Sequence, residues 1–216
     1  MYTLRYGTYD KRVQYLMKSD KQLGKLIQFI GDIELNVEED GFKCLVKYII
    51  GQQISDKARE TIWQRICSFA GEVCPEKING ISDSDLRQLG LSGKKVNYIK
   101  TLSNRIVDHA IDLAKHQQMS NSEIIDDLTT LPGIGKWTAE MYLIFSLARQ
   151  NILSLGDGTI KRTIGWMYDY NTLPTSQDIL DCFQLWREQA TIVSIYLWKA
   201  SEIGLTKKPF ERISVG

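Results

Sequence analysis

The feature that most constrains this chain is a proline- and glycine-bearing segment at residues 131–139, which reads LPGIGKWTA. Pro132 fixes one backbone angle. Gly133 and Gly135 permit positive φ values and a close approach of the backbone that a side chain would prevent. The segment is therefore predicted to form a tight hairpin.

Both flanks of this hairpin have the pattern of a helix. Upstream, Ser120 precedes Glu123 by three residues, which is the spacing of a capping box, and an apolar face follows. Downstream, residues 136–150 contain no Gly or Pro and are rich in helix-favouring residues. The unit is predicted to be helix, hairpin, helix.

The main-chain amides of Gly133, Gly135 and Lys136 would point out of this turn at a helix N-terminus, where an anion is favoured. The natural ligand is a nucleic-acid phosphate. The alternative is that Pro and Gly mark only a turn between two helices.

The segment resembles the hairpin of the helix-hairpin-helix DNA glycosylases, and the 3-methyladenine DNA glycosylase II family is the best match. Asp157 lies downstream, where that superfamily keeps its catalytic carboxylate. The resemblance covers residues 16–205 and includes three further segments, namely YIIGQQIS at 48–55, LRQLGLSGKKVNYIKTL at 86–102 and GDGTIKR at 156–162.

No sustained alternation of apolar and polar residues predicts strands, so the fold is expected to be all-α. The resemblance implies two helical lobes with a DNA-binding cleft between them. Residues 41–149 would form one lobe with the hairpin, and residues 1–40 would join residues 150–216 in the other. Within residues 1–40, an amphipathic helix is predicted to be capped by Ser19 and to end at Gly31.

Composition does not point to a partner. The chain has 216 residues, 43% of them hydrophobic, and a formal net charge of +1. A low net charge mildly opposes binding to many phosphates. Phosphate binding would then depend on local clusters of basic residues, as at Lys94 and Lys95 or Lys161 and Arg162. The expected partner is double-stranded DNA with damaged bases, bound by a monomer.

The four cysteines lack CxxC or zinc spacing and are expected to be reduced and structural. The four-cysteine loop of the related endonuclease III branch does not occur. His109 and His116 are assigned to neither metal nor catalysis. No apolar run is long enough to span a bilayer and no secretory segment opens the chain, so a cytosolic protein without membrane contact is expected.

The resemblance implies a further DNA contact in the GQQ turn, and the Ser92-Gly93-Lys94 turn before a predicted helix repeats the pattern of the main hairpin. Gln53 would wedge into the base stack, although a water-exposed helix cap is the competing interpretation. Lys94 or Lys95 would hold a second phosphate unless both are merely solvated. The residues expected to bind DNA are Gln52, Gln53, Ser55, Ser92, Gly93, Lys94, Gly133, Gly135, Lys136 and Thr138.

Removal of a base from its sugar requires that the nucleotide be extruded, and the sugar then acquires oxocarbenium character. A fixed carboxylate stabilises that charge, and Asp157 is the candidate, expected to lie close to Trp137. The alternative is an Asx turn between Gly156 and Gly158.

Trp137 occupies the position at which bifunctional members carry a lysine nucleophile, so a monofunctional enzyme without β-lyase activity is predicted. The aromatic faces of Trp137 and Trp198 would stack on cationic alkylated purines. Trp198 also fits a helix core. Met141 stands where some members have a pocket tyrosine, and Tyr142 either compensates or belongs to the core.

The superfamily hairpin commonly holds a monovalent cation through main-chain carbonyls, here those of Thr129, Leu131 and Ile134. No catalytic metal or organic cofactor is implied. Three other functions remain open: excision of oxidised or deaminated bases, a non-catalytic DNA-binding module, and an all-α protein-interaction domain.

Overall fold

The computed structural model describes residues 1–213, which are mostly helical. In chain order the strands and α-helices are β1 (Tyr2–Tyr6), α1 (Lys11–Ser19), α2 (Lys21–Ile30), β2 (Ile33–Val37), α3 (Gly41–Gly51), α4 (Asp56–Ala70), α5 (Pro75–Gly80), α6 (Asp83–Gln88), α7 (Gly93–Val107), α8 (Asn121–Thr129), α9 (Lys136–Phe145), α10 (Gly158–Met167), α11 (Ser176–Trp186) and α12 (Ala190–Glu202). Short 3-10 turns lie at Lys115–Gln118, Arg187–Gln189, Leu205–Lys207 and Phe210–Arg212.

The chain divides into two compact units. Unit 1 comprises Met1 and Glu38–Leu147 and contains helices α3 to α9. Unit 2 comprises Tyr2–Val37 together with the chain from Ala148 on. It contains β1, β2, α1, α2 and α10 to α12. None of the helices within residues 1–213 is long and apolar enough to cross a membrane.

Most helices begin at a residue whose side chain accepts a hydrogen bond from an amide of the first turn, which satisfies one of the donors that a helix start leaves unpaired. The predicted capping box of Ser120 and Glu123 is confirmed at α8, and that of Thr175 with Asp178 occurs at α11. Such caps fix helix starts from sequence alone.

The start of α2 differs from the sequence prediction. Asp20 is its N-cap and accepts a bond from the Leu23 amide at 3.0 Å, whereas Ser19 is the last residue of α1. The predicted stop at Gly31 is confirmed, because Gly31 follows α2 with a φ of 76°.

Two short strands depart from the all-α expectation. Strands β1 and β2 pair antiparallel, with Tyr2 opposite Val37 and Tyr6 opposite Ile33. Strand β2 buries every second residue, Ile33, Leu35 and Val37. This alternation spans only five residues, which is too short to stand out in the sequence.

The core of unit 2 contains a buried carboxyl group. Asp20 accepts hydrogen bonds from the indole N–H of Trp186 at 2.9 Å and from the hydroxyl of Tyr168. Trp186 is fully buried. Burial of these polar groups is costly unless they are hydrogen-bonded. The two bonds join the start of α2 to α11 and to the residue after α10.

The core of unit 1 contains a second polar cluster. The Tyr142 hydroxyl lies 3.1 Å from His116 Nδ1, and His116 Nε2 lies 2.9 Å from Asp127 Oδ2. His116 and Tyr142 are both buried. The cluster ties α8 and α9 to the 3-10 turn before them, and it gives His116 a structural role.

The helix after the hairpin is shorter than predicted. It ends at Phe145, and Ala148 adopts a φ of 52°. The amide of Glu38 donates to the carbonyl of Phe145, and the Ser146 hydroxyl donates to the carbonyl of Glu38. These long-range hydrogen bonds pair polar groups at the end of α9. The helix therefore stops at a point where the local sequence would allow it to continue.

Candidate functional site

The hairpin between α8 and α9 uses its two glycines differently. Gly133 has a φ of 83°, and a Cβ added there would lie 2.2 Å from the ring of Tyr98. Gly135 has a φ of −90°, so the predicted positive φ is wrong at this position. A Cβ on Gly135 would meet no atom within 4 Å. Gly133 is required by packing, whereas Gly135 leaves open space at the N-terminus of α9.

The GQQ turn is bonded directly to this hairpin. The side-chain amide of Gln52 donates to the carbonyl of Gly133 at 2.8 Å and lies 3.4 Å from the Thr138 hydroxyl. Thr138 is 3% exposed. Gln52 and Thr138 therefore brace the hairpin, a role that the sequence did not predict for either.

Lys95 supports the same turn from helix α7. Its ammonium donates to the carbonyls of Ile50 at 2.7 Å and Gln52 at 2.8 Å, at the C-terminal end of α3. Burial lowers the pKa of Lys95 below its ordinary value. Of the two lysines offered for a phosphate, Lys95 is thus committed to carbonyls, and Lys94 is the exposed one.

Gln53 follows as an exposed residue in an unusual conformation. Its φ is 57°, the left-handed region that non-glycine residues seldom adopt. Ser55 then caps α4 by accepting from the Ala58 amide at 3.3 Å. The turn thus presents a backbone-constrained glutamine beside a helix start.

The second predicted hairpin begins helix α7. The hydroxyl of Ser92 accepts from the Lys95 amide at 3.4 Å, which makes Ser92 the N-cap. A Cβ on Gly93 would lie 3.1 Å from the guanidinium of Arg87. Arg87 and Lys94 therefore both place positive charge near this helix start.

Trp137 and Tyr142 lie on the same helix but differ in exposure. Trp137 is 37% exposed, and its indole packs edge-on against Tyr48 with ring centroids 6.0 Å apart. Tyr142 is 1% exposed. Of the two, the Trp137 face is the one that a base could contact. Lys136, also exposed, lies 4.0 Å from Glu140.

Asp157 is the N-cap of α10 in unit 2. Its Oδ1 accepts from the amides of Thr159 at 2.8 Å and Ile160 at 2.9 Å. The residue is 8% exposed. These two hydrogen bonds from backbone amides hold the carboxylate in one orientation. The partial positive charge of the helix N-terminus favours an anion there. The local turn and a catalytic role are thus compatible.

Two glycines and one arginine lie next to Asp157 at the start of α10. Neither Gly156 nor Gly158 has a positive φ. The Arg162 guanidinium lies against Gly158, at 3.1 Å from the position of an added Cβ, and donates to the Thr159 hydroxyl at 3.1 Å. A cation is therefore packed at the start of the same helix. Trp198, the second predicted pocket residue, is half-buried on α12.

All four cysteines are free thiols. Burial raises the pKa of Cys44 to about 12 and also raises the pKa values of Cys67 and Cys182. Within the described residues, no group of three or more His, Cys, Asp or Glu side chains could hold a metal ion.

Sequence reasoning missed several residues that shape the site. Tyr98 packs against the hairpin at Gly133, and Tyr48 packs against Trp137. The position of Lys95 at a helix start predicts a phosphate contact and does not predict its bonds to the carbonyls of Ile50 and Gln52. The available signal was the spacing on α7, since Lys95 and Tyr98 are three residues apart and therefore share a helix face.

The chain is similar in sequence and in structure to known proteins. It is 27% identical over 202 residues to DNA-3-methyladenine glycosylase 1 of Schizosaccharomyces pombe, covering 90% of this chain and 89% of that protein. Its structure is similar to the crystal structure of a Bacillus halodurans DNA-3-methyladenine glycosidase, with a TM-score of 0.84, 29% identity and 96% of each chain covered.

It is also similar to the S. pombe 3-methyladenine DNA glycosylase in complex with abasic DNA, with a TM-score of 0.83 and 27% identity over 90% of this chain and 98% of that one. The profile described as HhH-GPD superfamily base excision DNA repair protein matches residues 46–188, which include the hairpin and Asp157. The chain therefore belongs to the HhH-GPD superfamily of base excision DNA repair proteins.

Proposed function

We propose that this protein is a monofunctional DNA glycosylase that hydrolyses the N-glycosylic bond of alkylated purines, of the 3-methyladenine type, in duplex DNA. The relatives reported above are named for 3-methyladenine, and each match covers at least 90% of this chain. The observation that carries the proposal is the carboxylate of Asp157, oriented by two amides at the start of α10.

The chemistry follows from the charge that develops on the sugar. As the C1′–N bond breaks, its electron pair leaves with the base and C1′ becomes cationic. Water then adds to C1′ and loses a proton to the solvent, which leaves a hydroxyl group on the sugar. A carboxylate ~4 Å from that cation contributes roughly 4 kcal/mol at an effective dielectric near 20. That corresponds to a rate factor on the order of a thousand if the interaction exists only in the transition state.

Unit 1 supplies the groups that we assign to DNA. The open space at Gly135 lets a phosphate approach the amides that begin α9, with the exposed Lys136 beside them. Ser92, Gly93 and Lys94 begin α7 in the same manner. Gln53 is the wedge that fills the space left by an extruded base.

The lesion preference rests on aromatic faces. A methylated purine that carries positive charge is attracted to the face of an indole and also stacks on it. Trp137 presents an exposed indole that Tyr48 holds in place, and Trp198 is the second aromatic that we assign to the base.

We also propose that the hairpin binds a monovalent cation through the carbonyls of Thr129, Leu131 and Ile134. The donor set fits a hard cation, because all three donors are oxygens and Thr129 ends α8, where carbonyls lack helical partners. The Leu131 carbonyl already accepts from the Ile134 amide at 3.2 Å, and its second lone pair remains for a ligand. Such an ion would add positive charge next to a bound phosphate.

The test is release of free base from methylated duplex DNA, measured for the wild type and for Asp157→Asn. The substitution preserves an oxygen for the two amides and removes the charge, so we expect the rate to fall on the order of a thousandfold with the fold intact. Asp40→Asn is the matched control, since Asp40 is also an N-cap and accepts from the Lys43 amide at the start of α3 at 3.0 Å. An Asp157→Asn enzyme as active as the wild type would refute the proposal.

The substrate also sets where the protein acts. Because chromosomal DNA is the source of alkylated duplex, we propose that the protein works in the compartment that contains it, which is the cytosol in a bacterial cell. Fractionation of cells into nucleoid-bound and other protein, before and after alkylation, measures this.

A further inference from the structure

The turn after α3 holds Gln53 in a left-handed conformation without the help of a glycine. Its φ of 57° is unfavourable for a residue with a side chain, because Cβ approaches the following carbonyl oxygen. Such a conformation persists only where the surrounding structure imposes it. Within the turn the Ile54 amide donates to the Gly51 carbonyl at 3.3 Å, and further contacts come from outside the turn.

Lys95 acts on the peptide unit that determines this φ. The carbonyl of Gln52 belongs to the peptide plane between Gln52 and Gln53, so a bond to its oxygen fixes the orientation of that plane. The Lys95 ammonium makes this bond at 2.8 Å and holds the Ile50 carbonyl at 2.7 Å as well. Rotation of the plane would break the first bond.

The side chain of Gln52 provides a second anchor, because it is attached to the Cα atom at which the same peptide unit begins. Its amide donates to the carbonyl of Gly133 at 2.8 Å, which ties the turn to the hairpin. Tyr98, one turn after Lys95 on α7, packs against Gly133. One face of α7 thus holds both the turn that carries Gln53 and the hairpin that offers its amides.

We propose that Lys95 and Gln52 are positioning residues that hold Gln53 in its left-handed conformation, so that its side chain enters the base stack in a fixed register with the hairpin. This inference rests on the proposed function, because it assumes that the protein extrudes a base. Neither residue needs to touch the reacting atoms.

The experiment compares two duplexes that carry the same alkylated purine. In one the lesion is paired, and in the other it lies opposite an abasic site, where no partner base has to be separated. For Lys95→Met we expect the single-turnover rate to fall about tenfold on the paired duplex and less than about twofold on the other, the size expected when a residue leaves a conformation that side chains disfavour. A fluorescent adenine analogue beside the lesion should report slower unstacking.

Lys100→Met is the matched control. Lys100 lies on the same helix and donates to the carbonyls of Asn79 and Ile81, so it is a comparable clamp that holds the end of α5 and makes no bond to the turn that carries Gln53. Its loss should lower both rates equally or not at all. If Lys95→Met does not fold, Gln52→Met removes the bond to Gly133 and should give the same difference between the two duplexes.

A double substitution tests whether Lys95 acts through Gln53. Gln53→Ala alone should reproduce the selective loss on the paired duplex, and adding Lys95→Met to it should change little more, because the two residues act as one unit. Equal losses on both duplexes, or multiplied losses in the double variant, would overturn the inference. A wild type that releases no base from either duplex would instead refute the proposed function.

Discussion

The ring of Tyr98 occupies the space into which a side chain at Gly133 would project, only 2.2 Å from a Cβ built there. The two residues are 35 positions apart in the chain, and their contact seats the hairpin on helix α7. Gly133 is thus required both by its φ of 83° and by its neighbour. Gly135 meets neither condition.

Gly133→Ala should therefore destabilise the protein more than Gly135→Ala. We expect a loss of about 2–4 kcal/mol at Gly133, from the left-handed conformation together with overpacking. At Gly135 the loss should stay within about 1 kcal/mol, while DNA affinity falls because the added methyl group fills the open space. Urea unfolding and DNA titration measure the two effects. Equal unfolding midpoints for the two variants would contradict the assignment.

The wild type should form no covalent intermediate with DNA. The indole of Trp137 cannot attack C1′, and the neighbouring Lys136 is turned by about 100° around the helix and lies near Glu140. Borohydride added during the reaction should trap no protein–DNA adduct, and the product should be an uncut abasic strand. A trapped adduct that disappears in Lys136→Met would show that this lysine acts as a nucleophile.

Trp137→Ala should reduce discrimination between charged and neutral lesions. Loss of the indole face removes a cation–π contribution of about 0.5–2 kcal/mol, so release of a cationic purine should slow about 2- to 30-fold. Release of a neutral lesion should slow less. Parallel measurement on defined duplexes gives the ratio, and an unchanged ratio would exclude Trp137 as the selective face.

The stability of unit 2 should fall at alkaline pH. Burial, followed by the bond to Asp20, raises the pKa of Tyr168 above its ordinary value of 10.0. Below that value the tyrosine is protonated in both states and its contribution is complete. As the pH rises above about 10 it ionises only in the unfolded state, and stability declines by up to about 1.4 kcal/mol per pH unit.

Urea unfolding between pH 8 and 11 tests this prediction. Burial also raises the pKa values of Tyr6 and Tyr196 in the same unit, so Tyr168→Phe should reduce the slope of the decline without abolishing it, whereas Tyr9→Phe, at a highly exposed position, should leave the slope unchanged. The same slope in both variants would mean that other groups cause the loss.

The sequence by itself determined several helix boundaries and the hairpin turn. Ser120 and Glu123 mark the start of α8, Gly133 marks the hairpin, and Gly31 marks the end of α2. In each case the signal and the structure lie within four residues of one another. Local hydrogen bonds and allowed backbone angles are the physical cause, so a pattern of residue types is enough to predict them.

Only the tertiary structure decided what braces the site. Gln52 reaches Gly133 across 81 positions, and Trp186 reaches Asp20 across 166. Lys95 donates to main-chain carbonyls, although its place at a helix start predicts a phosphate contact, because α7 packs against α3. Residue types alone do not encode such contacts. They depend on which faces the packed helices present to each other, and a long polar side chain bonds to whichever unpaired carbonyl that packing brings within reach.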